Sequence, residues 1–417
     1  MHWTLWAAGD FMPVKEDDLQ YENSPYVDKK HKDYVQKHDL SILNLETPLV
    51  TTGMSAVKVG PVQKGDPKSI SILSELGIDA VNLANNHIGD FGSRGIGSTM
   101  KLLEKYGIQS FGAGKNFEQA SRPIVINVGG IRIGLIGCCE VQFGSARQDR
   151  PGVYAPDFYQ LLDNIYKFKQ QCDVIIVSVH AAEEWSPWPS PNRVMLFRTL
   201  VDNGVSVVLG HHSHMPQGYE KYEPGIIFYG LGNFWSPFFR SWGDRENYDW
   251  GLCPTIHFDD GSIVNFTIRM SKMYNDRSIK FFDLVKNSRY QNYIHKCNEP
   301  LSDFTLLQGI WQEVSLRLYE YAYCRRLGWD RNTLIEPIKE FFQILVMKSG
   351  LLKKYKRSRL KSRFLSRWLF LSCYSQHDSI TTALGVLGGE LRDVRNKTSK
   401  DYVDQMMPWL NTTKPKE

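Results

Sequence analysis

The chain has 417 residues, of which 42% are hydrophobic, 12% aromatic and 23% charged. This composition supplies enough apolar material for a sizeable core and excludes an intrinsically disordered protein. The formal net charge is +5, but residues 301–417 carry +8 and residues 1–300 carry −3. Because the larger part of the chain is slightly acidic, we expect no nucleic-acid partner.

The spacing of the cysteines and the first residues of the sequence indicate the cellular compartment. The seven cysteines form no C-x-x-C pair, and Cys138 and Cys139 stand side by side in an apolar run. This pattern predicts buried reduced thiols instead of a disulfide framework or a zinc knuckle. The first residues have no basic start and soon reach Asp10, so no signal peptide is predicted. No run of 18 apolar residues indicates a membrane-spanning helix, and we expect a cytoplasmic protein.

Short apolar strands alternate with amphipathic helices over about the first 270 residues. Strands are predicted at Trp3–Ala8, Leu40–Asn44, Ala80–Leu83, Ile124–Val128, Ile131–Cys138, Val174–His180, Val205–Gly210 and Gly225–Leu231. Helices are predicted at Tyr26–Lys37, Pro67–Leu76, Gly95–Tyr106, Asp157–Gln170 and Pro191–Asn203. Val264–Met270 and Ile279–Val285 are predicted as closing strands. Such alternation indicates mostly parallel sheets covered by helices.

The pattern becomes helical near residue 300, with apolar spacing typical of helices over Leu301–Leu327 and Asn332–Val346. We therefore expect a domain over residues 1–295 and a helical, basic extension over 300–417. Lys353–Arg367 carries eight Lys and Arg residues and no acidic residue. Residues 353–368 fit peripheral contact with an anionic membrane surface or binding of a polyanionic polymer. A solvated basic helix packed by its apolar side is the alternative explanation.

Polar side chains directly follow the first two predicted strands, where ligand sites form in open α/β sheets. Asp10 ends the first strand and can bind a metal cation, although a turn or N-cap aspartate explains it when taken alone. Asn44 and Glu46 end the second strand and point to the same face. Glu46 is accordingly a candidate ligand or bridging carboxylate, with a solvated loop carboxylate as the alternative.

The loop after the third strand places Asn85, Asn86, His87 and Asp90 close together in sequence. An asparagine can bind a metal through its carbonyl oxygen, and a histidine can bind a metal or donate a proton. A turn rich in asparagine and glycine is the alternative. The neighbouring histidine and aspartate favour a functional loop.

His180 follows an apolar run, and Glu184 is placed to orient it through a hydrogen bond. A lone histidine of this kind is usually structural, so a functional interpretation of His180 depends on the other motifs.

Three histidines within four residues, His211, His212 and His214, give the strongest indication of a metal site. In an extended segment His212 and His214 face one side and His211 faces the other. We therefore expect His212 and His214 to be metal ligands and His211 to lie behind them; a surface histidine cluster is the alternative. Gln217 and Asn233 are further candidates, and Asn233 is equally well explained as structural.

Oxygen and nitrogen donors without thiolates suit a binuclear site for two divalent ions such as Mn, Fe or Zn. Two adjacent metals commonly activate water and stabilise the leaving oxygen in ester hydrolysis. The sequence contains no G-x-S-x-G motif, no Walker A motif and no G-x-G-x-x-G after a strand.

The ordered motifs resemble those of the capsule-synthesis CapA family, which is also named for poly-γ-glutamate biosynthesis, over about residues 3–240. The matching motifs are Gly9-Asp10, Asn44-Leu45-Glu46-x-Pro48, Ala84-Asn85-Asn86-His87-x-x-Asp90-x-Gly92, His180-x-x-x-Glu184, Gly210-His211-His212-x-His214-x-x-Gln217 and Leu231-Gly232-Asn233-Phe234. That family is similar to the calcineurin-like metallophosphoesterases. The resemblance implies an α/β, four-layer α-β-β-α sandwich of the metallophosphatase type, followed here by the helical extension.

The resemblance also implies residue roles and partners. It places Asp10, Glu46, Asn86, His180, His212 and His214 at metal-binding positions. His87 resembles a proton donor, with Asp90 beside it as a second catalytic candidate. The implied substrate is an anionic polymer or a phosphoester, and a capsule synthase complex is the implied partner.

These motifs support two functional interpretations. The first is a metal-dependent hydrolase in capsule, poly-γ-glutamate or exopolymer biosynthesis. The alternative is a non-catalytic scaffold or polymer-handling subunit of a capsule synthase complex. A metal-dependent nuclease is disfavoured because an acidic main body repels phosphate backbones.

Overall fold

The computed structural model describes residues 1–13, 26–236, 246–327 and 365–411. Two compact units are present: the sandwich unit, Met1–Ala56 with Val62–Phe304, and the helical unit, Val57–Pro61 with Thr305–Glu417. The predicted helix Asn332–Val346 and residues 353–364 of the basic segment lie outside the described residues.

The described strands, in chain order, are β1 (His2–Phe11), β2 (Leu40–Leu45), β3 (Ala80–Asn82), β4 (Gln109–Phe111), β5 (Ala113–Gly114), β6 (Ile124–Val128), β7 (Ile131–Cys139), β8 (Gly152–Val153), β9 (Val174–His180), β10 (Val207–His211), β11 (Tyr219–Tyr222), β12 (Gly225–Phe228), β13 (Asn233–Trp235), β14 (Trp250–Asp259), β15 (Ser262–Met273) and β16 (Ile279–Asp283).

The described α-helices are α1 (Lys29–Gln36), α2 (Ile70–Leu76), α3 (Gly92–Lys105), α4 (Phe117–Ser121), α5 (Phe158–Lys169), α6 (Pro191–Asp202), α7 (Ser288–Ser302), α8 (Phe304–Leu318), α9 (Cys324–Leu327), α10 (Tyr374–Gly388) and α11 (Lys397–Met406). Residues 365–372 are also helical.

The first sheet of the sandwich unit has the order β16-β15-β14-β1-β2-β3-β4, with β13 paired to β1. The run β1-β2-β3-β4 is parallel, whereas β14, β15 and β16 are antiparallel to their neighbours. Helices α1, α2 and α3 connect the successive parallel strands. Parallel neighbours require such crossovers, which cover the sheet with helices.

The second sheet has the order β11-β12-β10-β9-β7-β6. Its centre, β12-β10-β9-β7, is parallel, and β6 and β11 are antiparallel edge strands. Strands β4 and β1 of the first sheet contact β7 and β10 of the second, and α6 packs on β10 and β12. The four-layer α-β-β-α sandwich predicted from the sequence is therefore confirmed.

Central strands are buried along their full length, which explains their nearly continuous apolar sequences. Every residue of β9 is buried, from Val174 to His180. Between the sheets and helices, aromatic side chains fill the core; Trp6, for example, packs edge-on against Phe234 and Phe281, with ring centroids 5.8 and 6.0 Å apart.

The helices that follow the last strand are interrupted at Asp303. Apolar spacing typical of helices extends over Leu301–Leu327; α7 ends at Ser302 and α8 begins at Phe304, with Asp303 in an extended conformation between them. After α8 a π-helical turn, Tyr319–Tyr323, precedes α9. The helical character indicated by the spacing is present on both sides of Asp303, and the spacing itself does not mark the extended residue.

A buried ion-pair network helps hold the helical unit together. Glu313 of α8 accepts hydrogen bonds from Arg317 at 2.8 Å and from Arg395 at 2.9 Å.

Within the described ranges, no helix combines the length and the apolar character that crossing a membrane requires. The seven cysteines, all at described positions, are free thiols; six are buried, as predicted, whereas Cys324 is partly exposed.

Candidate metal centre

The candidate ligands lie where parallel strands of both sheets end. In the first sheet, Asp10 of β1 has Asn44 of β2 and Asn233 of β13 as strand neighbours. In the second sheet, His180 of β9 stands beside His211 of β10. Because the carboxyl ends of parallel strands meet at one edge of a sheet, residues that are distant in sequence become neighbours.

Gly9 allows β1 to approach the neighbouring backbone at this edge. A Cβ atom on Gly9 would lie 1.8 Å from the carbonyl oxygen of Gly232. That same oxygen accepts the backbone N–H of Asp10 at 2.9 Å. Only glycine permits this approach, which explains the Gly-Asp pairing in the motif.

Asp10 is fully buried and is held by groups from both sheets. Nδ2 of Asn44 donates to its Oδ1 at 2.8 Å, and the backbone N–H of His212 donates to its Oδ2 at 3.2 Å. Burial would raise the pKa of Asp10, but the hydrogen bond from His211 and the nearby His211 and His214 imidazoles lower the pKa below its ordinary value. The carboxylate is therefore ionised and suited to bind a cation.

Asp10, Glu46 and His180 form one buried donor group, whose ligand atoms lie within 4.8 Å of one another. Nε2 of His180 is 3.5 Å from Oε1 of Glu46 and 3.0 Å from Oδ1 of Asn86, so Asn86 joins this group. Burial, followed by repulsion from the neighbouring histidines, holds the pKa of His180 well below its ordinary value. The neutral imidazole keeps a lone pair for a metal.

Glu46, His212 and His214 form a second buried donor group. Nε2 of His214 lies 3.7 Å from Oε1 of Glu46, and its Nδ1 lies 3.2 Å from Oδ1 of Asn233. Burial lowers the pKa of His214 below its ordinary value, so this imidazole is also neutral. Both His212 and His214 have left-handed backbones, with φ of 81° and 57°.

The donors fit a divalent cation. Glu46 belongs to both groups, and its side chain is fully buried. Among the described residues, Nδ1 of His212 is buried without a hydrogen-bond partner. Buried polar atoms are normally paired, so a lone pair left in this position indicates a missing ligand contact. Carboxylate, amide and imidazole donors together suit Mn, Fe or Zn.

His87 and Asp90 form a buried pair on the loop after β3. Nδ1 of His87 lies 2.8 Å from Oδ2 of Asp90, and the backbone N–H of Gln63 donates to the same oxygen at 2.6 Å. Asn85 shapes the loop, because its Oδ1 accepts the backbone N–H of Ile88 at 2.8 Å. The aspartate thereby fixes the orientation of the His87 imidazole.

The remaining predicted residues lie around these donors. Nδ1 of His211 is 3.2 Å from Oδ1 of Asp10, which places it behind the ligands. Asn233 donates from Nδ2 to the carbonyl oxygens of His214 and Tyr248, supporting the histidine loop. Gln217 donates to the carbonyl oxygen of Ser186 at 2.9 Å and belongs to neither donor group.

Glu184 has a different neighbour from the one that its spacing suggested. The sequence placed it to orient His180, whose ring nitrogens face Asn44 and Asn86. In the structure, Oε1 of Glu184 lies 3.9 Å from Nε2 of His212. The turn between β9 and α6 carries Glu184 to this neighbouring ligand.

Sequence analysis overlooked a further carboxylate at this edge. Glu140 directly follows β7, is buried, and lies with Oε1 3.8 Å from Nε2 of His212. Gln142 and Arg193 are buried beside it. The available signal was the one that identified Asp10: an acidic residue immediately after an apolar strand.

Comparisons with known proteins agree with these motifs. The family described as bacterial capsule synthesis protein PGA_cap matches residues 4–237. The capsule biosynthesis protein CapA of Bacillus anthracis is 31% identical over 248 residues, covering 55% of this chain and 59% of that protein. A probable polyglutamine synthesis accessory protein of Mycobacterium tuberculosis is 33% identical over 208 residues, covering 47% and 55%. The chain thus spans between half and three fifths of the length of these relatives.

Among solved structures, a phosphatase from Mycoplasma pneumoniae aligns with a TM-score of 0.41 at 14% identity, covering 70% of this chain and 97% of that one. The family match covers more than half of the present chain and includes all the donors described above. The chain therefore belongs to the bacterial capsule synthesis protein PGA_cap family, as the resemblance of its motifs to CapA predicted.

Proposed function

We propose that this chain acts in the biosynthesis of capsule, poly-γ-glutamate or another exopolymer as a metal-dependent hydrolase of the phosphoesterase type. The observation that carries the proposal is that Glu46 belongs to two buried donor groups at once. A carboxylate shared by two donor sets is suited to bridge two cations a few ångströms apart. The centre is therefore proposed to be binuclear.

The proposed ligands surround Glu46. They are Asp10, Glu46, Asn86, His180, His212 and His214, and they fit Mn, Fe or Zn. When bound, such ions supply Lewis-acid stabilisation to the oxygens of a hydrolysed ester. Asn44 and His211 hold the Asp10 carboxylate in place for this role.

His87 is the proposed general acid. Its Nδ1 is engaged by Asp90 at 2.8 Å, which leaves Nε2 as the atom that delivers a proton to the leaving oxygen. The buried Asp90 carboxylate holds the imidazole in this orientation and stabilises its protonated form. A positioned acid of this kind contributes about 10²–10⁴-fold to a rate.

The names of the relatives point to polymer synthesis, so we propose an anionic polymer or a phosphoester as substrate and a capsule synthase complex as partner. Residues 1–295 would carry the chemistry, with 300–417 as an appended extension. The residues that would make the proposed membrane contact, 353–368, are described only from residue 365 onward.

Metal content is the first test. The full chain, purified without chelator or histidine tag, should hold about two transition-metal ions by elemental analysis and should hydrolyse bis-p-nitrophenyl phosphate. The double variant His212→Ala with His214→Ala should lose the metal and stay folded by circular dichroism. Exposed histidines supply a matched control, His2→Ala with His295→Ala, which should keep the metal.

Two outcomes would contradict the proposal. Unchanged metal content in the folded His212→Ala, His214→Ala variant would refute the assigned centre. A wild-type chain that takes up no metal after reconstitution would refute the hydrolase and favour the scaffold or polymer-handling role.

A further inference from the structure

Asn233 is a buried amide at the same sheet edge and is not among the proposed ligands. It is the first residue of β13 and pairs with Asp10 of β1. Its exposed fraction is 2%. An asparagine side chain carries one acceptor oxygen and two N–H donors, and burying them costs free energy unless they are hydrogen-bonded. The hydrogen-bond partners of Asn233 therefore indicate what this side chain does.

The donors of the Asn233 amide are engaged by main-chain oxygens. Nδ2 donates to the carbonyl oxygen of His214 at 3.1 Å and to that of Tyr248 at 2.9 Å. Because a carbonyl oxygen can only accept, the amide nitrogen must face these two groups, and the amide oxygen must point the other way. That oxygen, Oδ1, lies 3.2 Å from Nδ1 of His214. The orientation of the amide is therefore fixed by its own donors.

The two ring nitrogens of His214 have different surroundings. Nδ1 faces the oxygen of Asn233, which has no proton to give, so Nδ1 must carry the hydrogen of this bond. A second acceptor, Oδ2 of Asp10, lies 3.7 Å from Nδ1 and is beyond hydrogen-bond distance. Nε2 lies 3.7 Å from Oε1 of Glu46, the carboxylate that both donor groups share. With the proton on Nδ1, the lone pair of Nε2 is directed toward the donor groups.

We propose that Asn233 is the positioning residue that accepts the Nδ1–H of His214 and thereby directs Nε2 to the metal centre. The inference rests on the metal centre proposed above. A metal-bound histidine commonly donates its other ring N–H to a neighbouring acceptor, which fixes both the tautomer and the orientation of the ring. In this chain the acceptor is the side-chain amide oxygen of Asn233.

Trp185 constrains the same ring in a different way. Its ring packs against the His214 imidazole, with the centroids 5.5 Å apart and the planes inclined by 38°. Trp185 is buried, and its backbone N–H donates to the carbonyl oxygen of Ser213 at 3.0 Å. Such packing limits the tilt of the imidazole but accepts a ring turned by 180° equally well. The hydrogen bond to Asn233 is what distinguishes the two ring nitrogens.

The position of the His214 proton can be measured directly. In the full chain labelled with ¹⁵N-histidine, long-range ¹H–¹⁵N NMR should find the proton on Nδ1 in both the metal-free and the zinc-loaded protein. The His214→Gln variant identifies the signal. A proton on Nε2 in the metal-free wild type would overturn the inference, even if the Asn233 variants fail to fold.

Metal titration of two Asn233 variants separates positioning from support of the backbone. Asn233→Leu removes the acceptor and should raise the Kd of one bound ion by about 10–100-fold. Asn233→Asp keeps an acceptor for the Nδ1–H but loses the donors to the two carbonyl oxygens. It should therefore lower the melting temperature, yet keep a Kd nearer to the wild type than Asn233→Leu does. Equal losses of affinity in the two variants would overturn the positioning role.

Asn164→Leu is the matched control. Asn164 of α5 also donates from Nδ2 to a main-chain oxygen, that of Ser121 at 2.8 Å, and α5 carries none of the proposed ligands. This variant should lower the melting temperature and leave the Kd of both ions unchanged. A similar loss of affinity in Asn164→Leu and Asn233→Leu would show general loosening and would contradict the inference.

The outcomes separate this inference from the proposed function. If the wild type binds two ions and a folded Asn233→Leu binds them equally well, the inference fails and the metal centre stands. A wild type that binds no metal after reconstitution overturns both.

Discussion

The backbone N–H of His212 donates a hydrogen bond to Oδ2 of Asp10 at 3.2 Å, although 202 positions separate the two residues. Asp10 lies in β1 of the first sheet, and His212 follows β10 of the second. This bond joins the two sheets at the candidate metal centre. The donor groups consequently depend on how the sheets pack, because each group draws residues from both.

Replacing the shared carboxylate should affect both ions of the proposed binuclear centre. Glu46→Gln is expected to weaken the binding of both, because Glu46 belongs to both donor groups. His180→Ala should weaken chiefly one ion, since His180 belongs to one group. The loss in Glu46→Gln should exceed the roughly 10–100-fold typical of residues that only support a ligand. Calorimetric titration with Mn²⁺ or Zn²⁺ measures it; an equal loss of one ion in both variants would contradict a bridging role.

Removing the proposed acid should separate chemistry from metal binding. His87→Gln is expected to lower kcat for phosphoester hydrolysis by about 10²–10⁴-fold, because no group then protonates the leaving oxygen. Metal content should stay at the wild-type value, since His87 belongs to neither donor group. Asp90→Asn should have a smaller effect, because it disturbs the orientation of His87 without removing it. An unchanged kcat in His87→Gln would exclude the assigned role.

The close approach at Gly9 predicts a large stability effect. In Gly9→Ala, the new Cβ would lie 1.8 Å from the carbonyl oxygen of Gly232, so the backbone must shift. We expect a loss of about 3 kcal/mol in the free energy of unfolding. Gly97→Ala is the control, because the new Cβ atom would meet nothing within 4 Å. Gly97 lies in α3, and alanine in place of glycine stabilises a helix by about 0.5–1 kcal/mol. Urea unfolding measures both; equal effects would contradict the prediction.

Burial of His180 predicts acid sensitivity in the metal-free protein. Its pKa is held well below the ordinary value of 6.5. The His180 imidazole therefore stays neutral in the folded chain at pH values at which it is protonated in the unfolded chain. Stability should therefore be fully present above about pH 6.5 and fall as the pH decreases below that value, because the unfolded state then binds more protons. Melting temperatures from about pH 8 to about pH 5 measure the trend. His180→Gln should flatten it, whereas replacement of the exposed His2 by glutamine should not.

Sequence patterns predicted the central strands well, because parallel strands buried on both faces are nearly continuous apolar runs. The strand Val174–His180 was predicted with the bounds that the structure has. In contrast, β14 was not predicted, although it lies between β1 and β15. It contains Gly251 and Pro254, which disfavour strand assignment, so its conformation depends on its two antiparallel partners.

The residues after 300 also show what the sequence indicates and what only the backbone reveals. Apolar spacing indicated helices after residue 300, and α8 is present from Phe304 to Leu318. The break at Asp303 leaves that spacing unchanged and is visible only in the backbone, whose φ and ψ are −120° and 92° there. Local periodicity reports which face is apolar, not whether one residue between two helices is extended.

By itself, the sequence determined the chemical types of the donors and their order along the chain. Each donor stands at or just after the end of an apolar strand, and in this class of fold the strand ends form the site. It did not determine which atoms meet. Oε1 of Glu46 lies 3.5 Å from His180 and 3.7 Å from His214, and Glu140 and Glu184 both lie near His212. Those distances are set by the packing of two sheets whose strands come from distant parts of the chain, and local sequence patterns carry no information about that packing.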